Sequence, residues 1–219
     1  PADCREPKPS PVRLRIIDVT RVGEVHGGVL VLPGGRPTSS ERSRRWQLAN
    51  VRVALLERSL RRRLGPHVDV RRVRYRLRGW NAGRLDALHD ARVALDDLRK
   101  VVDGADIVVV GHSMGARVAA HLAASGDVGA VVALAPWWPG DDARRIPVGT
   151  RLLTMHGTAD TWTDPVASQA QTLQAANRGL DATWVPIEGA GHFMVRAFSL
   201  WHRMTANFTM SQWSECPEY

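Results

Sequence analysis

The chain has 219 residues, 44% hydrophobic and 24% charged, proportions of an ordinary globular domain long enough to bury a core without disulfide or metal staples. Gly and Pro, 19 and 13, are too few for a fibrous or disordered chain, and no run approaches the ~18 apolar residues of a membrane-spanning helix. The formal charge of +8 comes almost wholly from arginine, the only lysines being Lys8 and Lys100; no zinc-finger, basic-zipper or RNA-binding pattern accompanies it, so it is read as a compositional habit and no nucleic-acid partner is expected.

Residues 1–11 are polar and proline-rich and are expected as a loose arm ahead of a single domain over 12–219. Val12–Thr20 reads as a first strand. Gly28–Leu32 is nearly all apolar, which suits a buried strand of a parallel sheet, and it ends in Pro33-Gly34-Gly35. A helix is predicted over Ser43–Leu64, with Trp46, Ala49, Val53, Leu56, Leu60 and Leu64 as one buried stripe. Arg52, Arg58, Arg62 and Arg63 fall off that stripe and are expected to be solvated, and Gly65-Pro66 stops the helix.

Val68–Leu77 is the next strand, running into Arg78-Gly79-Trp80-Asn81. Leu88, Ala91, Leu95, Leu98 and Val102 mark a second helix. The apolar strand Ile107–Val110 leads into Gly111-His112-Ser113-Met114-Gly115, with a helix over Val118–Ala124 behind it. Val128–Ala135 and Leu152–Met155 are strands, Asp164-Pro165 starts a helix with Asp as its cap, and Ala182–Ile187 is the last strand. A closing helix is expected after Gly189-Ala190-Gly191-His192. Alternating strands and helices predict an α/β fold: a mainly parallel central sheet with helices on both faces and its chemistry at the carboxyl ends of the strands.

Gly111-His112-Ser113-Met114-Gly115 is a G-x-S-x-G sequence between a strand and a helix, the context in which such a serine is held on a strained turn with its hydroxyl raised. A serine needs a base, and the base needs a carboxylate to fix its tautomer. Loops after two later strands supply Asp160, in His156-Gly157-Thr158-Ala159-Asp160, and His192. Asp160 competes with Asp141, Asp142 and the cap Asp164. His192 competes with His202, expected to pack or solvate, and with His156 and His112, expected to be structural.

VLPGG (31–35), RGWN (78–81), GHSMG (111–115), HGTAD (156–160) and GAGHF (189–193) together resemble the esterase- and lipase-like serine hydrolases of the α/β-hydrolase fold, in that family's order over about residues 12–210. The resemblance implies Ser113 as nucleophile, His192 as general base and then acid, and Asp160 as its orienting partner. It also implies an oxyanion hole from the backbone N–H of Met114 and a glycine of the Pro33-Gly34-Gly35 loop, Gly35 in preference to Gly34. Where the family often has His-Gly, this chain has Pro33-Gly34.

Only 16 residues separate Ala135 from Leu152, too few for a separate lid domain. Trp80, Trp137, Trp138 and Trp162 fall just past strand ends and are expected as a substrate wall, whereas Trp46 is expected in the core. The expected reaction is hydrolysis of a small carboxylic ester or thioester through an acyl-enzyme, without metal or organic cofactor. A lyase, perhydrolase or cyclase reaction on the same scaffold is the alternative, followed by an arginine-rich module for an acidic partner. Cys4 and Cys216 are too few for a disulfide framework, and with no export segment visible a cytoplasmic location is expected.

Overall fold

The structure, a computed structural model, describes residues 25–213. The arm at 1–11, the strand expected over Val12–Thr20, and Cys4 and Cys216 lie outside the described residues.

Among the described residues six strands form one parallel sheet: β1 (Gly27–Leu32), β2 (Val68–Arg72), β3 (Ile107–His112), β4 (Ala130–Leu134), β5 (Arg151–Gly157) and β6 (Ala182–Ile187), in the spatial order β2-β1-β3-β4-β5-β6. Every residue of β1, β3 and β4 is buried. That is why these runs are continuously apolar: a strand covered on both faces has no solvent side on which to place polar residues.

Among the described residues five helices supply the cover: α1 (Leu48–Leu64), α2 (Asp86–Leu98), α3 (Met114–Ala123), α4 (Pro165–Asn177) and α5 (Phe198–Ser211). Val29, Val31, Val108, Val110 and Val132 face α1 and α5, meeting Val53, Leu56, Leu60 and Trp201. Leu30, Leu32, Ile107, Val109 and Val131 face the other way, onto Ala91, Leu95 and Leu98 of α2 and Val118, Ala119 and Leu122 of α3. The period-two alternation of each strand thus divides the core into two layers. The 16-residue link between β4 and β5 holds one turn of 3-10 helix, Asp142–Arg145, and no separate lid. Among the described residues no helix is long and apolar enough to cross a membrane.

Two expectations are corrected here. Trp46 is 70% exposed, with Arg44 over its ring at 5.2 Å, and α1 begins two residues later than Trp46. The Asn50 amide accounts for the late start: it donates to Ser43 Oγ (3.0 Å) and to the Arg44 carbonyl (2.9 Å), holding residues 43–44 in a non-helical turn. A helical stripe extrapolated back to Trp46 therefore has no helix to lie on. The strand expected to reach Leu77 pairs only to Arg72, because the chain turns away toward residues 36–43, with Leu77 bridging Arg42 and Gly79 bridging Arg36.

His202, on α5, is buried, with its ring 4.0 Å from that of Phe198 and no hydrogen-bond partner for Nε2. Burial, reinforced by the Arg63 and Arg62 charges, pushes its pKa down from 6.5 to about 4. An unfolded chain takes up this proton first, so stability is intact above pH 6.5 and declines toward pH 4, by at most about 3 kcal/mol. Urea midpoints of the wild type should fall over that window, and His202→Leu should flatten the fall. A variant whose midpoint tracks the wild type at every pH would show that His202 carries none of it.

Candidate active site

The site starts from a sharp turn that its two flanking glycines permit. Ser113 sits between β3 and α3 with φ 56° and ψ −118°, outside helix and strand geometry alike. A Cβ on Gly111 would collide with the Gly115 carbonyl, and one on Gly115 with the carbonyls of Leu32 and Pro33. Strand, turn and helix approach so closely that both positions must lack side chains. Ser113 N–H donates to the Leu134 carbonyl (2.9 Å), and its own carbonyl accepts from Trp137 N–H (3.2 Å), so β4 and the loop after it clamp the turn.

Parallel register brings the other loops to the same edge. His112 pairs with Leu134, Leu134 with Met155, and Gly157 with Ile187, so the chain segments after β3, β5 and β6 leave the sheet together. There His192 Nε2 lies 3.0 Å from Ser113 Oγ, and His192 Nδ1 lies 2.8 Å from Asp160 Oδ2. All three side chains are buried. With a carboxylate on its Nδ1, the imidazole carries its proton there, leaving the Nε2 lone pair to accept from the serine hydroxyl.

Asp160 is held by more than His192. Oδ1 accepts from Trp162 N–H (2.7 Å) and Thr163 N–H (3.1 Å); Oδ2 also accepts from Thr163 Oγ1 (2.8 Å) and His156 Nε2 (3.0 Å). Burial alone would raise its pKa. The bonds from His156, His192, Thr163 and Trp162 outweigh that and hold the carboxyl far below the usual carboxylate range. Asp160 therefore stays ionised well below neutral pH.

The competing residues are occupied elsewhere. Asp164 caps α4, accepting from Val166 and Ala167 N–H. Asp142 binds Arg117 (2.9 Å) and His121 (3.2 Å), and Asp141 is exposed. His112 donates from Nε2 to the His192 carbonyl (2.9 Å); burial, then the His192 and Arg52 charges, push its pKa well down and keep it neutral. His156 anchors Asp160 through Nε2, with its own Nδ1 2.8 Å from Ser168 Oγ. Its position four residues before Asp160 was the only signal, and a turn rather than a helix brings the two together.

The loop Pro33-Gly34-Gly35 overlies the serine turn. A Cβ on Gly34 would lie 3.3 Å from Ser113 Cβ, and one on Gly35 would meet the Met114 side chain. Met114 opens α3, where a backbone N–H has no acceptor within the helix. The four tryptophans separate. Trp162 is 70% exposed and stacks on His192, with ring centroids 5.9 Å apart and planes 8° apart. Trp80 and Trp138 are instead buried in the core, and Arg117 lies 4.5 Å over the Trp80 ring and 4.9 Å over that of half-buried Trp137. The expected wall of four therefore has one exposed member against the imidazole; Trp80 and Trp137 bracket the Arg117 guanidinium. Among the described residues no three His, Cys, Asp or Glu side chains are grouped to hold a metal ion.

Residues 29–206 match the alpha/beta hydrolase family. The esterase Est2 of the planctomycete Thermogutta terrifontis, with butyrate bound, is 16% identical, superposes with a TM-score of 0.65, and the match covers 90% of this chain and 87% of that one. The same esterase phosphonylated by cyclosarin gives 0.66 at 16% identity, over 89% and 86% of the two chains. Est1E from Butyrivibrio proteoclasticus gives 0.60, also at 16%, over 88% and 90%. No curated protein matches the sequence.

Proposed function

The chain belongs to the alpha/beta hydrolase family, and within it we propose a serine hydrolase that cleaves a small carboxylic ester or thioester through an acyl-enzyme. One observation carries the reading: Ser113 Oγ, the His192 imidazole and the Asp160 carboxylate form an unbroken hydrogen-bonded chain, with its first member on a strained turn.

In this reading His192 Nε2 takes the Ser113 proton as Oγ attacks the acyl carbon. Asp160 fixes the Nδ1–H tautomer and stabilises the imidazolium that forms. The developing oxyanion is held by the N–H groups of Met114 and Gly35, each worth about 3 kcal/mol in the transition state. As the tetrahedral adduct collapses, His192 returns its proton to the leaving alcohol or thiol. Water then repeats the cycle on the acyl-serine, releasing the acid and restoring the hydroxyl. Trp162 supplies an apolar face beside His192, where the leaving group departs.

The likeness to an esterase that holds butyrate makes short acyl esters the first substrates to try. Purified protein should hydrolyse p-nitrophenyl butyrate with a burst of nitrophenolate that scales with protein concentration. No turnover across short and medium esters and thioesters would count against the reading.

A further inference from the structure

Six arginines of the described chain are half-buried: Arg52, Arg71, Arg72, Arg78, Arg117 and Arg151. Five of them have a carboxylate. Arg71 pairs with Asp69 (2.7 Å), Arg72 with Glu57 (2.8 Å), Arg78 with Glu41, Arg117 with Asp142 (2.9 Å) and Arg151 with Asp181 (2.8 Å). Arg52 is the exception. Among the described residues it has neither a carboxylate nor a hydrogen-bond acceptor, only the Phe193 ring beneath its guanidinium at 4.9 Å.

Its place gives the exception meaning. Phe193 follows His192 in the chain, and the two rings are 5.6 Å apart, so Arg52 stands at the rim of the site described above. His112, next to Ser113, lies close enough to feel the Arg52 charge. Burial pulls the Arg52 pKa below its ordinary value, the mark of a cation that has lost water without gaining an anion. A half-desolvated guanidinium with five free donors beside a reaction centre is a poor structural element and a good receptor.

We propose that Arg52 selects substrate: the ester carries a second, free carboxylate, which the Arg52 guanidinium binds while Ser113 attacks the ester carbonyl. The planar fork matches a carboxylate in two parallel hydrogen bonds, and one guanidinium balances one carboxylate charge. Among the described residues the other five half-buried guanidinium groups already take that partner. The proposal rests on the hydrolase reading for its substrate and names the class of ester that site takes.

The test compares charged esters with neutral ones of similar length. Monomethyl glutarate against methyl pentanoate places the charge on the acyl half; acetoxyacetate against propyl acetate places it on the alcohol half. In at least one pair the wild type should favour the charged ester in kcat/KM by about tenfold or more, and the preference should shrink as salt rises. Arg52→Met keeps the alkyl cover of Phe193 and should cut the charged-to-neutral ratio by about 10- to 100-fold. Arg52→Lys should retain part of the ratio, and Arg58→Met, at an exposed position of the same helix, should retain all of it. A wild type that prefers the neutral ester in both pairs, or a ratio that Arg52→Met leaves alone, overturns the proposal. Calorimetry of glutarate against pentanoate separates this from a failure of the hydrolase reading: Arg52-dependent glutarate binding upholds the site even without turnover, and its absence overturns it.

Discussion

Replacing Ser113 with alanine is expected to lower kcat for p-nitrophenyl butyrate by about 10⁵- to 10⁶-fold, to the level of an active site that retains binding but has no nucleophile. The size follows from the division of labour in the hydrogen-bonded chain. His192 and Asp160 act only through the serine oxygen, so its removal idles all three groups together. The fold should survive. Alanine at φ 56° is as strained as serine, and neither the bond from residue 113 N–H to the Leu134 carbonyl nor the glycine contacts around it involve Oγ. Unchanged melting with lost turnover is the expected pair of results. Activity within tenfold of the wild type would mean that another group attacks.

Asp160→Asn should cost about 10⁴-fold in kcat, and the reason lies in which amide atom goes where. Oδ1 accepts two backbone N–H groups, from Trp162 and Thr163, so the asparagine oxygen must take that place. Its NH2 then occupies the Oδ2 position, facing His192 Nδ1, His156 Nε2 and Thr163 Oγ1. A donor facing Nδ1 selects the other imidazole tautomer, in which Nε2 carries the proton and aims it at Ser113 Oγ. The base is then blocked although every atom is nearly in place. A loss under tenfold, with the variant folded, would show that the tautomer is not controlled from Asp160.

Much of the architecture was legible because each signal was local. Short continuous apolar runs such as Ile107–Val110, rich in β-branched residues and followed by glycine, suit strands covered on both faces, and this one lies in the sheet centre. The placement of Ser113, Asp160 and His192 was legible for a similar reason: each follows a strand, and parallel strands deliver their ends to one edge. Asp164 was separable from Asp160 because proline behind an aspartate marks a helix start.

The rest depended on distant contacts. Trp46 fitted a helical stripe, but the Asn50 amide delays the helix, and no periodicity contains that hydrogen bond. Trp80 and Trp138 follow strand ends like Trp162, yet they turn inward, because what packs on a loop is set by other loops. His156 reads from sequence only as a structural residue of HGTAD; the folded turn shows its Nε2 on Asp160. By sequence Arg52 is indistinguishable from Arg58, Arg62 and Arg63, all off the apolar stripe. Its distinction is the lack of a carboxylate where its half-buried counterparts have one, which requires knowing where every carboxylate goes.

The most direct test is exposure of the folded protein to a fluorophosphonate, followed by peptide mass spectrometry. The account predicts a single covalent adduct, on the peptide containing Ser113, with Ser113→Ala left unlabelled. An adduct on a different serine, or a folded protein that takes no label, would contradict it.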